Sequence, residues 1–162
     1  MRSLLRFLRS LFRRKARQRP SGRQLIRAGM QCQESGAIQE GILFLVRGLE
    51  ILDVDKHPVD ALGAYHTLAY YLSELQLPIL TQAILERARP LYERLGDPQL
   101  SAQRLWLEGR TACQRGEHSR ALALHEEAIT ALADLGLEAD VQRVRADRRA
   151  TEQRLRLAAL AS

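Results

Sequence analysis

From Arg23 onward, apolar and polar positions alternate with helical periodicity in stretches of about 12 to 16 residues. Short breakers separate them at Ser35-Gly36, Asp55 to Pro58, Gln76 to Pro78, Gly96 to Pro98, Gly116 and Gly136. Helices of this length joined so tightly fold back on one another as antiparallel neighbours. Pro20, Ser21 and Gly22 form the clearest boundary and read as a hinge between an N-terminal segment and the periodic body.

The pattern repeats. A shift of 80 residues lays Leu25, Gly29, Gly36, Ile42, Leu45 and Leu49 on Leu105, Gly109, Gly116, Leu122, His125 and Ile129. Half that shift brings Tyr65, Ala69, Leu72 and Leu85 onto matching positions, so the period is 40 residues and occurs three times. Beyond Asp140 a charged helical segment carries Val141, Val144, Leu155 and Leu157 among arginines. An array of helical repeats needs a last helix with a wet outer face, and residues 140–162 are expected to be that cap, their charges a solvated face.

Residues 1–20 have a different pattern. On a helical wheel Leu4, Leu5, Phe7, Leu8, Leu11 and Phe12 fill one arc of about 160°, with Arg2, Arg6, Arg9 and Arg13 opposite. Arg6 and Arg9 interrupt any secretory hydrophobic core, and the segment is too short and charged to span a bilayer. A basic amphipathic helix lying on an anionic membrane surface is the expectation. The alternatives are docking onto a partner helix or acidic protein, a cleaved organelle-targeting peptide, and an apolar face folded back over the first repeat.

Composition agrees with an all-α chain. Hydrophobic residues make up 46% but aromatics only 5%, and Leu, Ala, Arg, Gln and Glu, which lose little on entering a helix, predominate. The formal charge of +6 suggests nucleic acid until it is located: residues 1–20 hold eight basic groups and no acid, leaving 17 basic against 19 acidic residues in the body. Nucleic acid, as a partner of the arginine-rich tail, is therefore the alternative and not the leading reading. Cys32 and Cys113 lie far apart without C-x-x-C spacing, so neither a disulfide framework nor a zinc site follows, and a reducing compartment is the default.

In the third repeat Gly109, Ala112, Gly116, Ala121, Ala128 and Ile129 fall where small and apolar residues let two helices approach. The segments LYERLGDPQL and ALADLGLEAD both close a second helix with Leu-Gly. Together these residues resemble the tetratricopeptide family in a long-period, degenerate form, over about residues 23–140. The second repeat departs furthest, with Ala69 and Gln76 in place of glycine and Pro78 and Thr81 near the start of its second helix. In the first, Gly41 and Gly48 replace the family's alanines, a cost of about 1 kcal/mol each unless close packing uses them.

The resemblance implies a right-handed α-solenoid of about three antiparallel helix pairs, at 23–57, 60–97 and 98–139. It would present a concave groove along the first helices of the pairs. Groove positions carried over residue by residue are Arg23, Ile26, Met30 and Gln33 in the first repeat. The second contributes His66, Tyr70 and Ser73, and the third Gln103, Trp106, Arg110 and Gln114. Trp, Tyr and Arg commonly anchor interfaces, although Trp106 is equally readable as core between repeats.

No catalytic constellation stands against this. His118 and His125 are seven residues apart, too far along a helix to share a metal, and HEE is not H-E-x-x-H. The register suggests no histidine partner for either cysteine. No phosphate-binding glycine loop or nucleophile elbow occurs. The expected protein is a scaffold, adaptor or assembly factor holding a peptide or helix of another protein, with no enzyme activity, cofactor, metal or small-molecule substrate. Its expected place is the cytoplasm, peripheral on a membrane. A regulatory or signalling helical module is a further alternative.

Overall fold

The computed structural model describes residues 19–161, so the apolar and basic residues assigned to the membrane-associating arc lie outside the described residues. Those described are helical throughout, without a strand: α1 (Gly22–Ser35), α2 (Ile38–Ile51), α3 (Pro58–Glu74), α4 (Pro78–Leu95), α5 (Pro98–Gln114), α6 (His118–Asp134) and α7 (Glu138–Ala161). None is long and apolar enough to cross a membrane.

Local chemistry explains most helix ends. The stretch read as a hinge is a helix start: the Ser21 hydroxyl accepts from the Gln24 N–H while the Gln24 carboxamide oxygen accepts from the Ser21 N–H. This reciprocal box satisfies two donors that the first turn leaves free. Asp97 caps α5 by accepting from the Leu100 N–H at 2.9 Å. Pro58, Pro78 and Pro98 each open a helix where an N–H would have no partner. Pro90 lies inside α4, exposed, and removes one bond there.

The turns follow the 40-residue period. Gly36, Gln76 and Gly116 end α1, α3 and α5 with φ of 69°, 58° and 80°, and Gly96 and Gly136 do the same after α4 and α6. A left-handed residue turns the chain at little cost only as glycine, so Gln76 bears the strain of the second repeat.

Burial repeats likewise. Gly41, Thr81 and Ala121 are buried at one register position, Leu45, Leu85 and His125 at the next, and Gly48, Ala88 and Ala128 at the third. The closest helix contacts are α1 with α2, α3 with α4, α5 with α6 and α6 with α7. The odd helices also touch in succession, α1 to α3, α3 to α5 and α5 to α7.

Close packing does use the glycines of the first repeat. A Cβ on Gly41 would stand 2.5 Å from the Tyr71 ring, and one on Gly48 would stand 2.7 Å from Ile26 Cγ1. Gly29 is occluded by Leu45 and Gly109 by the His125 ring. Tyr71 is fully buried and donates its hydroxyl to the Gly29 carbonyl at 2.9 Å, tying α3 to α1. Burial pushes its phenol up to about 12.

Helix α7 covers α5 and α6 with Val141, Val144 and Thr151, all buried. Leu157 and Leu160 point outward, 66% and 85% exposed, so the far end of α7 contributes no apolar cover. Several of its arginines pair with carboxylates, among them Arg143 with Asp140 and Arg148 with Glu126 and Glu152.

Candidate functional site

The succession of odd helices brings three of the carried-over positions, Tyr70, Trp106 and Arg110, into one polar and aromatic seam. The Tyr70 ring on α3 lies 6.5 Å from the Trp106 ring on α5. The Arg110 guanidinium stands 5.9 Å from the Tyr70 centroid and 5.7 Å from that of Trp106, within cation–π range of both. Arg110 pairs with Glu74 of α3 at 2.6 Å and approaches Asp147 of α7 at 3.5 Å. The Trp106 indole N–H donates to Asp147 Oδ2 at 2.7 Å. Burial, with Glu74 nearby, raises the Tyr70 phenol above its ordinary value.

Trp106 is in part the core residue that one sequence reading expected. Part of it packs against the Ala102, Leu132 and Val144 core, and its polar edge is held by Asp147 in the seam. Gln103 donates to Asp140 at 3.1 Å, and Gln114 donates to the Ser73 carbonyl at 2.9 Å. These contacts fix the orientation of the side chains that the face presents, because each polar end already has a partner from a neighbouring odd helix.

Two of the carried-over positions are withdrawn from the surface. Ile26 is core, packed against Gly48, and Ser73 is fully buried. Both fall on the inner side of their helices, where the register alone could not separate groove from core. His66 is partly buried and its Nδ1 lies 2.7 Å from the Tyr92 hydroxyl, so desolvation pushes its pKa down to about 4. Arg23, Met30 and Gln33 stay exposed. Arg23 pairs with Asp60 of α3 at 2.7 Å, and Met30 lies beside Gly63 of α3.

Gly63 is a residue of this face that the sequence reading missed. It lies inside α3, half-buried, and a Cβ there would meet only Met30, at 3.7 Å from Cε and 4.0 Å from Sδ. It is the one glycine inside a described helix where an added Cβ would meet its neighbours no closer than ordinary van der Waals contact. Glycine costs about 1 kcal/mol against alanine in a helix interior. Its place in the 40-residue register, between Arg23 and Gln103, marks it in the sequence, but only the packing shows that a Cβ there would meet Met30 alone without overlap. Asp140 and Asp147 were also missed; their spacing of seven puts them on one face of α7, and that face turns inward.

The structure also supplies a histidine that the register did not. Cys113 Sγ lies 3.9 Å from His118 Nδ1, with the Thr151 hydroxyl at 3.4 Å and an Arg154 nitrogen at 3.5 Å. Cys32 is buried, and that burial raises its thiol above the ordinary value. Among the described residues no group of three His, Cys, Asp or Glu side chains could hold a metal ion.

Comparison of the chain with family models, with curated proteins and with solved structures returns no match. The fold defines an all-helical protein. What the seam does rests on its own geometry.

Proposed function

We propose that the chain is a short right-handed α-solenoid of the tetratricopeptide kind and that it binds an extended peptide or helix of another protein along its odd helices. The observation that carries this reading is the sequence of neighbours from Met30 beside Gly63 to Tyr70, seven residues along α3, and its ring partner Trp106. Aromatic rings held by Arg110 and Asp147 form a rigid, partly apolar wall, and bare backbone at Gly63 lets an occupant approach closely. The basic amphipathic N-terminal segment would place this face at an anionic membrane surface. The body has more acidic than basic residues, which favours a protein partner over nucleic acid.

The test is selection of linear peptides from a displayed library against the full chain, followed by titration of the selected peptides against variants. Gly63→Leu adds a bulky side chain to this face and is expected to weaken binding by tenfold or more while the unfolding midpoint stays the same or rises. Tyr70→Ala is expected to weaken it similarly. Selected peptides that bind both variants as tightly as the parent chain would remove the face from consideration. Flotation of the chain with and without residues 1–20 on phosphatidylserine vesicles tests the tail, and equal recovery of both forms would refute the membrane reading.

A further inference from the structure

We infer that His125 makes the contact between α5, α6 and α7 a proton-sensitive latch, closed while the imidazole is neutral and loosened in mild acid. In the 40-residue register position 125 corresponds to Leu45 and Leu85, and all three side chains are buried, His125 completely. A histidine has taken a leucine's place without acquiring a histidine's partners. Neither ring nitrogen has a hydrogen-bond partner among the described residues. The ring edge presses on bare backbone, its Cδ2 and Nε2 at 2.5 and 2.7 Å from where a Gly109 Cβ would stand.

The surroundings oppose a charge there. Helix α6 packs only on α5 and α7 among the described helices. The charged groups bearing on the ring are Arg110 from α5 and Asp147 and Arg148 from α7, two cations against one anion. From its own helix, Glu126 is engaged by Arg148 at 3.0 Å. Asp147, the only neighbouring anion of the three, already accepts from Trp106. Desolvation holds the imidazole below its ordinary 6.5 against the opposing pull of Asp147, and the two arginines add to the lowering.

The direction follows from linkage. The folded core keeps His125 neutral, so the opened form binds the proton first as pH falls. The latch has its full strength above about pH 6.5 and loses it progressively below, by at most tenfold in the opening equilibrium per pH unit for one proton. A protonated ring reaching for Asp147 would also take that carboxylate from Trp106. Acid would therefore release the seam from the α7 side. His66 is a second buried neutral histidine, but it sits between α3 and α4, bonded to Tyr92.

The experiment needs no partner and is independent of the binding proposal. Trp106 is the only tryptophan in the chain, so its emission reports the seam directly. Emission of the full chain is followed from pH 7.5 to 5, with hydrogen exchange, corrected for intrinsic rates, locating the opening. The expected result is a red shift with a one-proton profile and faster exchange of α6 in acid, both absent in His125→Leu, which restores the leucine of positions 45 and 85. Acid opening confined to α3 and α4 would assign the response to His66 and overturn the inference, as would an identical profile in His125→Leu. Should that variant not fold, NMR titration of the histidine rings in the parent chain decides: His125 titrating at or above 6.5 overturns the latch, and a lower value with an accompanying Trp106 shift supports it.

Discussion

Between α1 and α2, Gly29 lets Leu45 enter the contact, whereas between α5 and α6 Gly109 admits the imidazole of His125 at the same register position. The first contact is tied to α3 by Tyr71, whose ring fills the space above Gly41 and whose hydroxyl reaches the Gly29 carbonyl. The third is bordered by the Arg110, Asp147 and Arg148 charges and by the Trp106 seam. Equivalent positions along one repeat have thus been given to stability at one end and to a polar, pH-responsive arrangement at the other. The repeated placing of a glycine at positions 29 and 109 lets the helices come close, and the side chain received between them decides what the contact does.

The sharpest way to break this comparison is at Tyr71 and its register equivalent Thr111. Tyr71→Ala should cost about 3–5 kcal/mol in urea unfolding, since a fully buried ring and its bond to α1 are lost together. Thr111→Ala should cost only about 1 kcal/mol, because that buried hydroxyl bonds the Leu107 carbonyl of its own helix. Similar losses at both sites would mean that the two regions are held alike.

Gly41→Ala comes next, at about 1–3 kcal/mol, because the new methyl overlaps the Tyr71 ring. The double variant with Tyr71→Ala should be less than additive, and strict additivity in the unfolding cycle would show that the ring is not what excludes the methyl. At the equivalent site in α6, Ala121→Gly should cost about 1 kcal/mol from helix propensity, so the two opposite exchanges should both destabilise.

The smallest effect expected is a gain. Gln76→Gly should stabilise the chain by about 0.5–1 kcal/mol by relieving a left-handed residue at φ 58°, where Gly36 and Gly116 already stand in the other repeats. A lower thermal midpoint for this variant would show that the Gln76 side chain contributes more than its backbone costs.

Much of the local structure was legible. Prolines at 58, 78 and 98 and glycines at 36, 96, 116 and 136 fall where helices begin and end in the structure. The 40-residue spacing reappears as a spacing of buried positions. The face was legible only in outline. Tyr70, Trp106 and Arg110 do come together, but Ile26 and Ser73 turn into the core, and Asp147, expected among solvated charges, turns toward Trp106. Periodicity gives the direction of a side chain around its own axis, and at the margins of an apolar stripe a rotation of a few tens of degrees separates core from surface.

By itself, then, the sequence determined where the helices lie, how the chain turns between them and which positions are equivalent, because caps, left-handed turns and helical periodicity are set within a few residues. The tertiary structure decided what each equivalent position means. That Gly41 makes room for Tyr71, that Gly63 meets only Met30 and that His125 is sealed without a partner all depend on other helices. Such contacts depend on interaxial distance and on the volume of the side chain opposite, and neither is encoded within a single helix.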